Sequence, residues 1–240
     1  MAPDGLDERI AGVASLAEPQ RRGLYRFVVG RDDAVSKVEA AAALGIARSV
    51  AAFHLDRLVA DGLLTAEFRR LTGRQGPGAG RPAKLYRRAE GELSVSLPAR
   101  QYGLAAELLA TAVDDATRSG FPLGRALTQA ATRRGHDLAE RALEQTGTRP
   151  SRRALLDAAL TVLDEQGYEP RPDGGEIVLA NCPFHALVDE HTELVCGMNH
   201  DLLCGMADTL GHELLTARLA PSEGRCCVRL HADRRALKGR

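Results

Sequence analysis

Twenty residues, Arg69 to Arg88 (RRLTGRQGPGAGRPAKLYRR), hold seven basic side chains and no acidic one. Their middle is rich in Gly and Pro, and strand-like runs flank it: residues 63–68 before, Lys84-Leu85-Tyr86 after. This predicts a basic β-hairpin with a long tip. The residues before it read as helices. Ser36-Lys37-Val38-Glu39 is a capping box, in which the Ser hydroxyl accepts a first-turn N–H and the Glu reaches back. It opens a helix through Ala43, and Gly45 supplies a turn. A second helix runs from about Ala47 to Asp61, with Val50, Phe53, Leu55 and Leu58 as its expected core side. Glu18 to Val29 is an earlier amphipathic helix, and Gly62 is a stop signal. Helix, helix, turn, helix, strand, basic tip, strand is the order of a winged helix-turn-helix.

From Pro98 the pattern changes to long helices, expected over residues 98–118, 122–145 and 150–166. Tyr102, Ala105, Leu108, Leu109, Ala112 and Val113 line one side of the first, wide enough to pack on a second copy or to serve as an ordinary core face. After Gly167 a hairpin is expected, with a Pro-Asp-Gly-Gly turn at 172–175, then a helix over 192–218 and a strand over 226–230. The predicted class is α+β: a winged-helix domain over 1–95, a helical dimerisation region over 96–166, and a cysteine-containing α+β domain over 167–240.

The net charge of zero conceals an asymmetry. Residues 1–100 carry 16 basic and 12 acidic side chains, whereas the remainder is acidic to the same degree. The surplus cations lie in the half with the helix-turn-helix, as binding to a polyanion requires. No apolar run is long enough to span a membrane. The N-terminus (MAPDGLDERI) lacks the apolar core of a secretory signal, so the expected location is the cytoplasm.

In the expected major-groove helix, Arg48 and Ser49 come first and His54 and Arg57 further along. Arg48 is suited to bidentate bonds with guanine, and Ser49 to a base or a phosphate. Arg74, Arg81 and Lys84 on the hairpin are expected to hold phosphates or enter the minor groove. The alternative is a helix-turn-helix used for protein contacts beside a solvated basic loop.

All five cysteines fall between Cys182 and Cys227. In a cytoplasmic chain such a cluster suggests a metal, iron–sulfur or redox site. There is no C-x-x-C pair, which argues against a zinc ribbon or a thioredoxin-like motif. Cys196 and His200 are placed to share one helical face, a two-ligand spacing. Cys204 lies roughly 12 Å from Cys196 along that helix, a long reach for one tetrahedral ion and less strained for a cube-shaped cluster. Cys226 shares strand parity with Val228 and Leu230 and is expected to point inward, with Cys227 outward beside Arg229. Cys182, Cys196, Cys204 and Cys226 are the candidate ligands. An iron–sulfur cluster, zinc and plain buried thiols all remain open on spacing alone.

ALGIARSVAAFHLDRLVADGLL followed by GAGRPAKLYRR resembles the ArsR-type winged-helix regulators of bacteria. NCPFHALVDEHTELVCGMNHDLL with GRCCVRL resembles the same group, which includes the iron–sulfur repressors of Suf cluster-assembly operons. The likeness covers about residues 15–90 and 175–231. It implies a homodimeric repressor on double-stranded operator DNA, controlled by a [4Fe-4S] cluster. Cys182, Cys196 and Cys226 match three family positions. The family's further cysteine would fall near Leu210, where this chain has none, leaving Cys204, His200, His185 or an exogenous group as fourth ligand. No G-x-G-x-x-G, Walker loop, H-E-x-x-H or nucleophile elbow is present, so no enzyme is expected. An enzyme using Cys182 with His185, or a regulator whose 98–166 helices bind an organic effector, are the alternatives.

Overall fold

The capping box at Ser36 forms as expected. Ser36 Oγ accepts from Glu39 N at 3.2 Å, and the Glu39 carboxylate accepts from Ser36 N at 2.8 Å. The structure is a computed structural model and describes residues 6–70, 82–222 and 224–233. The chain divides into two compact units, Met1–Val95 and Ser96–Arg240. Eight helices and two small antiparallel sheets are found among the described residues, an α+β fold.

The first unit contains α1 (Leu6–Ser15), α2 (Pro19–Val29), β1 (Val35–Ser36), α3 (Lys37–Leu44), α4 (Arg48–Ala60), β2 (Leu64–Arg69) and β3 (Ala83–Arg88). Glu18 caps α2 by accepting from the backbone N–H groups of Gln20 and Arg21. Gly45 takes a left-handed φ of 65°, which a residue with a Cβ adopts only with strain, and α3 and α4 meet there at 113°. The sheet order is β1-β3-β2, and β2 pairs with β3 from Leu64↔Arg88 to Arg69↔Ala83. Residues 71–81, including Arg74 and Arg81, lie outside the described residues.

Leu24, Val28, Ala40, Ala51, Leu55, Leu58, Leu64 and Tyr86 form this unit's core. Phe53 does not join it and is 64% exposed. Ala51, His54, Leu55 and Leu58 follow the 3.6-residue period on the inward side of α4, and Phe53 falls off that stripe. Neither α1 nor the two-residue β1 follows from the sequence pattern.

The second unit contains α5 (Tyr102–Ser119), α6 (Leu123–Glu144), α7 (Arg152–Glu165), β4 (Pro170–Asp173), β5 (Glu176–Leu179), α8 (His185–Leu210), β6 (Leu215–Leu219) and β7 (Val228–Ala232). Its sheet order is β4-β5-β7-β6. One core runs from Leu104 on α5 through Leu163, Ile177 and Leu202 to Leu230 on β7. The helices of 96–166 and the segment after 167 therefore share a single hydrophobic centre, and no boundary falls at residue 166.

The helix expected over 192–218 begins where α8 is kinked, at His191 with φ of −131°, and ends earlier than expected. Gly211, with φ of 97°, stops it, and Leu215–Leu219 instead pairs with β7 from Leu215↔Ala232 to Leu219↔Val228. The strand expected at 226 begins at Val228, so Cys226 and Cys227 lie on the approach to it. No single helix among the described residues is long and apolar enough to cross a membrane.

Helices α6 and α8 cross at two glycines. A Cβ on Gly135 would overlap the Leu202 carbonyl oxygen and lie 2.7 Å from Met206 N, and one on Gly205 would strike the Thr132 backbone. Gly135→Ala should therefore destabilise this unit by about 3 kcal/mol, the upper end of the usual overpacking range. Gly103→Ala on α5, where a Cβ meets nothing within 4 Å, should instead stabilise by roughly 0.5 kcal/mol. Urea denaturation midpoints of the two variants check both signs.

Candidate functional site

In the first unit, Arg48 and Ser49 occupy the exposed first turn of α4, where a helix entering a groove carries its base-reading residues. His54 does not accompany them. It is 9% exposed and faces inward, its Nδ1 accepting from Arg21 Nε at 3.4 Å and lying 3.7 Å from a Glu18 carboxylate oxygen. Arg21 in turn donates to Ser15 Oγ at 3.0 Å. His54 thus ties α4 to α2 and is unavailable to DNA, contrary to the expectation from sequence. Arg57 remains exposed, with its Nε 3.1 Å from the Asp61 carboxylate.

Lys84 Nζ lies 2.6 Å from Asp56 Oδ1, which also accepts from Tyr86 Oη at 2.8 Å. Burial raises the Asp56 carboxyl, but the bonds from Lys84 and Tyr86 outweigh it and hold the group below its ordinary range. Burial, with Asp56 alongside, pushes the Tyr86 phenol up. This network braces β3 against α4 and occupies Lys84. Arg69, Arg70, Arg87 and Arg88 are exposed at and beside the open end and the base of the hairpin.

In the second unit, the antiparallel pairing of β5 with β7 sets the end of β5 beside the start of β7. Cys226 N donates to Leu179 O at 3.0 Å, and Cys182 follows Leu179 by one short turn. Cys182 and Cys226 lie near enough to act on each other's titration, and Cys227 acts on that of Cys226. Cys196, from α8, completes the chain through Cys227. Cys182, Cys226 and Cys227 are thus neighbours, and Cys196 joins them through Cys227. Cys204 lies elsewhere: its Sγ is 3.5 Å from His200 Nε2, and Asp208 and Asp201 are the charges acting on it. No group of three or more His, Cys, Asp or Glu side chains among the described residues is placed to hold a single metal ion.

Cys182, Cys196 and Cys226 are protonated at neutral pH. The bond to Cys226, with burial, drives the Cys182 thiol well up. At Cys226 the bond to Cys182 pulls down, but Cys227 and burial prevail and raise it to about 11. Burial likewise raises Cys196, against the bond to Cys227.

Buried polar groups fix this quartet. Asn199 Nδ2 donates to Cys226 Sγ at 3.2 Å, and its Oδ1 accepts from Tyr168 Oη at 2.6 Å. Asn181 Nδ2 donates to the carbonyls of Gly167 at 2.6 Å and Ala99 at 3.0 Å. Arg100 donates to Asn181 Oδ1 and to the Cys182 carbonyl, and Gln101 N to the Pro183 carbonyl. Asn199 is legible in principle, since it falls one turn after Cys196 on the same helix face. Tyr168, Arg100 and Asn181 carry no such signal.

Comparison with family models, with curated proteins and with solved structures returned no match.

Two measurements check these placements. In metal-free folded protein at neutral pH, iodoacetamide should leave the buried Cys182, Cys196 and Cys226 unmodified and label them in urea, as read by peptide mass spectrometry. Rapid labelling of Cys182 in the folded state would contradict its burial. Asp56→Asn should lower the thermal midpoint at pH 7. Because the folded carboxyl titrates below its ordinary value of 3.8, its contribution is complete above that value and disappears as pH falls through the lowered one. The difference between variant and parent should therefore close in strong acid.

Proposed function

We propose that the chain is a DNA-binding transcriptional regulator, a homodimeric repressor of the cytoplasm, whose operator affinity is set by an inorganic centre on its C-terminal thiols. The observation that carries this reading is the α3–α4 pair, bent at 113° and followed by an antiparallel hairpin with exposed arginines. Helix pairs at about 90–120° that present the second helix outward are the helix-turn-helix arrangement. On this reading the first unit is a winged helix-turn-helix. Arg48 and Ser49 read base edges, and Arg69, Arg70, Arg87 and Arg88 take the phosphate-holding role expected of Lys84.

The neighbouring soft thiols support the reading of a [4Fe-4S] cluster, with zinc as the alternative. Cys182, Cys196 and Cys226 are buried soft donors whose thiols are raised by burial and by their neighbours, a donor set that a cationic centre would turn into thiolates. A lone tetrahedral ion needs sulfurs about 2.3 Å from one point, whereas a cube of iron and sulfide accepts thiolates set farther apart. Cys182, Cys196, Cys226 and Cys227 would hold it. When bound, the cluster supplies a redox- and oxygen-sensitive centre, and Asn199 orients Cys226 toward it.

A second copy is supported by α5. Ala105, Leu108 and Ala112 face the core, whereas Tyr102 and Val113 are exposed and Leu109 is half-buried between them, an apolar edge at helical spacing.

The test is anaerobic purification of the full chain, followed by visible absorbance, iron, sulfide and zinc assays, and anisotropy titrations against duplexes selected from a random pool. The expected material is coloured and binds a preferred sequence, with log K falling linearly with log salt. Cys227→Ser should lose iron and Cys204→Ser should retain it. Colourless, metal-free protein overturns the cluster, and equal operator binding with and without it overturns the sensing.

A further inference from the structure

We propose that Phe53 is a specificity-determining residue that reads the C5-methyl group of thymine in the major groove. This rests on the reading of α4 as the groove-entering helix. Phe53 is 64% exposed and lies one turn after Ser49 and one turn before Arg57, on a single outward stripe. An apolar ring placed between polar, DNA-competent neighbours is unfavourable in water and calls for an apolar partner. Among the base edges of the major groove, that partner is the thymine methyl.

The ring is held for the purpose. Phe53 packs edge-to-face on the His54 imidazole, with centroids 5.3 Å apart at 68°. His54 is itself fixed from behind by Arg21 and Glu18. A pre-positioned ring loses little freedom on contact, which favours discrimination over simple adhesion. The acidic residue next along the face, Asp56, is held by Lys84 and Tyr86, which offsets its repulsion of a phosphate backbone. Charge also argues for DNA over a protein partner. Arg48 and Arg57 stand at either end of the stripe, and the neighbouring hairpin segment from Arg69 to Arg88 carries no acidic side chain.

The experiment uses the full-length protein and its selected duplex, in which each thymine is replaced in turn by deoxyuridine. That change removes the methyl and leaves the hydrogen-bonding edge intact. At one or two thymines the dissociation constant should rise about fourfold, the equivalent of roughly 0.8 kcal/mol for one buried methyl-sized group. Phe53→Ala should bind the thymine and uracil duplexes alike, with the salt slope of the parent, because no ion pair is lost. Phe53→Leu should keep part of the discrimination. Phe53 is outside the core, so both variants should melt with the parent.

Sequence-specific binding with no thymine-to-uracil difference in the parent overturns the inference and leaves the regulator reading standing. Failure to recover any preferred duplex overturns both. A Phe53→Ala variant that changes oligomeric state while keeping the thymine preference assigns the ring to a protein contact and overturns the inference.

Discussion

The antiparallel pairing of β5 with β7 is the constraint on which the second unit's chemistry depends. Cys182 and Cys226 are far apart in the chain, and neither has a local partner. Once Ile177 pairs with Leu230 and Val178 with Arg229, the exit of one strand meets the entry of the other. The Cys226 N–H then bonds to Leu179 O, and two thiols meet. Helix α8 delivers Cys196 and Asn199 from the side, held in place by its close crossing with α6 at Gly135 and Gly205. A sulfur cluster built this way is a by-product of sheet register. A one-residue slip of β7 would part the Cys226 N–H from Leu179 O and move Cys226 away from Cys182.

Local signals are legible in the sequence and long-range ones are not. The capping box at Ser36, the left-handed Gly45, the helix over Arg48–Ala60 and the basic hairpin strands follow from cap chemistry and from patterns within a few residues. The hairpin at 170–179 follows likewise from its Pro-Asp-Gly-Gly turn. The pattern overextends α8 because residues 211–218 keep apolar helical spacing, and the pull of β7's open edge on Leu215–Leu219 is tertiary. The ligand set fails on the same ground. Cys204 shares a helix with Cys196, so sequence proximity favours it. Strand parity turns Cys227 outward, yet Cys227 precedes the strand, where parity does not apply.

Helix α4 inverts the roles that residue type alone assigns. The imidazole is buried and the phenyl ring is exposed. The cost of burying His54 is offset by the bond from Arg21, so the polar group becomes a strut between helices. The exposed ring has no explanation in packing, since the inward stripe of Ala51, Leu55 and Leu58 is already complete without it. On the proposed reading, this aromatic residue, set outward on a helix whose other exposed groups are Arg, Ser, Asp and Ala, is a contact surface.

For a thiol centre to govern DNA affinity, its two states must bias something that reaches the DNA-binding residues. The chain enters the second unit at Ser96. Within a few residues it is tied to the cysteine loop: Ala99 O accepts from Asn181, Arg100 donates to the Cys182 carbonyl, and Gln101 N donates to Pro183 O. Asn181 is the hinge of this arrangement, since it also bonds Gly167 O across the loop. On the proposed reading, a centre that pulls Cys182 toward Cys196 and Cys226 loads these bonds directly. On that reading the strain would reach the segment that follows the first unit, with no need for a path through the helical core. The cysteine loop is thus joined to residues 99–101 by one backbone hydrogen bond and by the side chains of Asn181 and Arg100, a connection short enough to transmit a small displacement of Cys182.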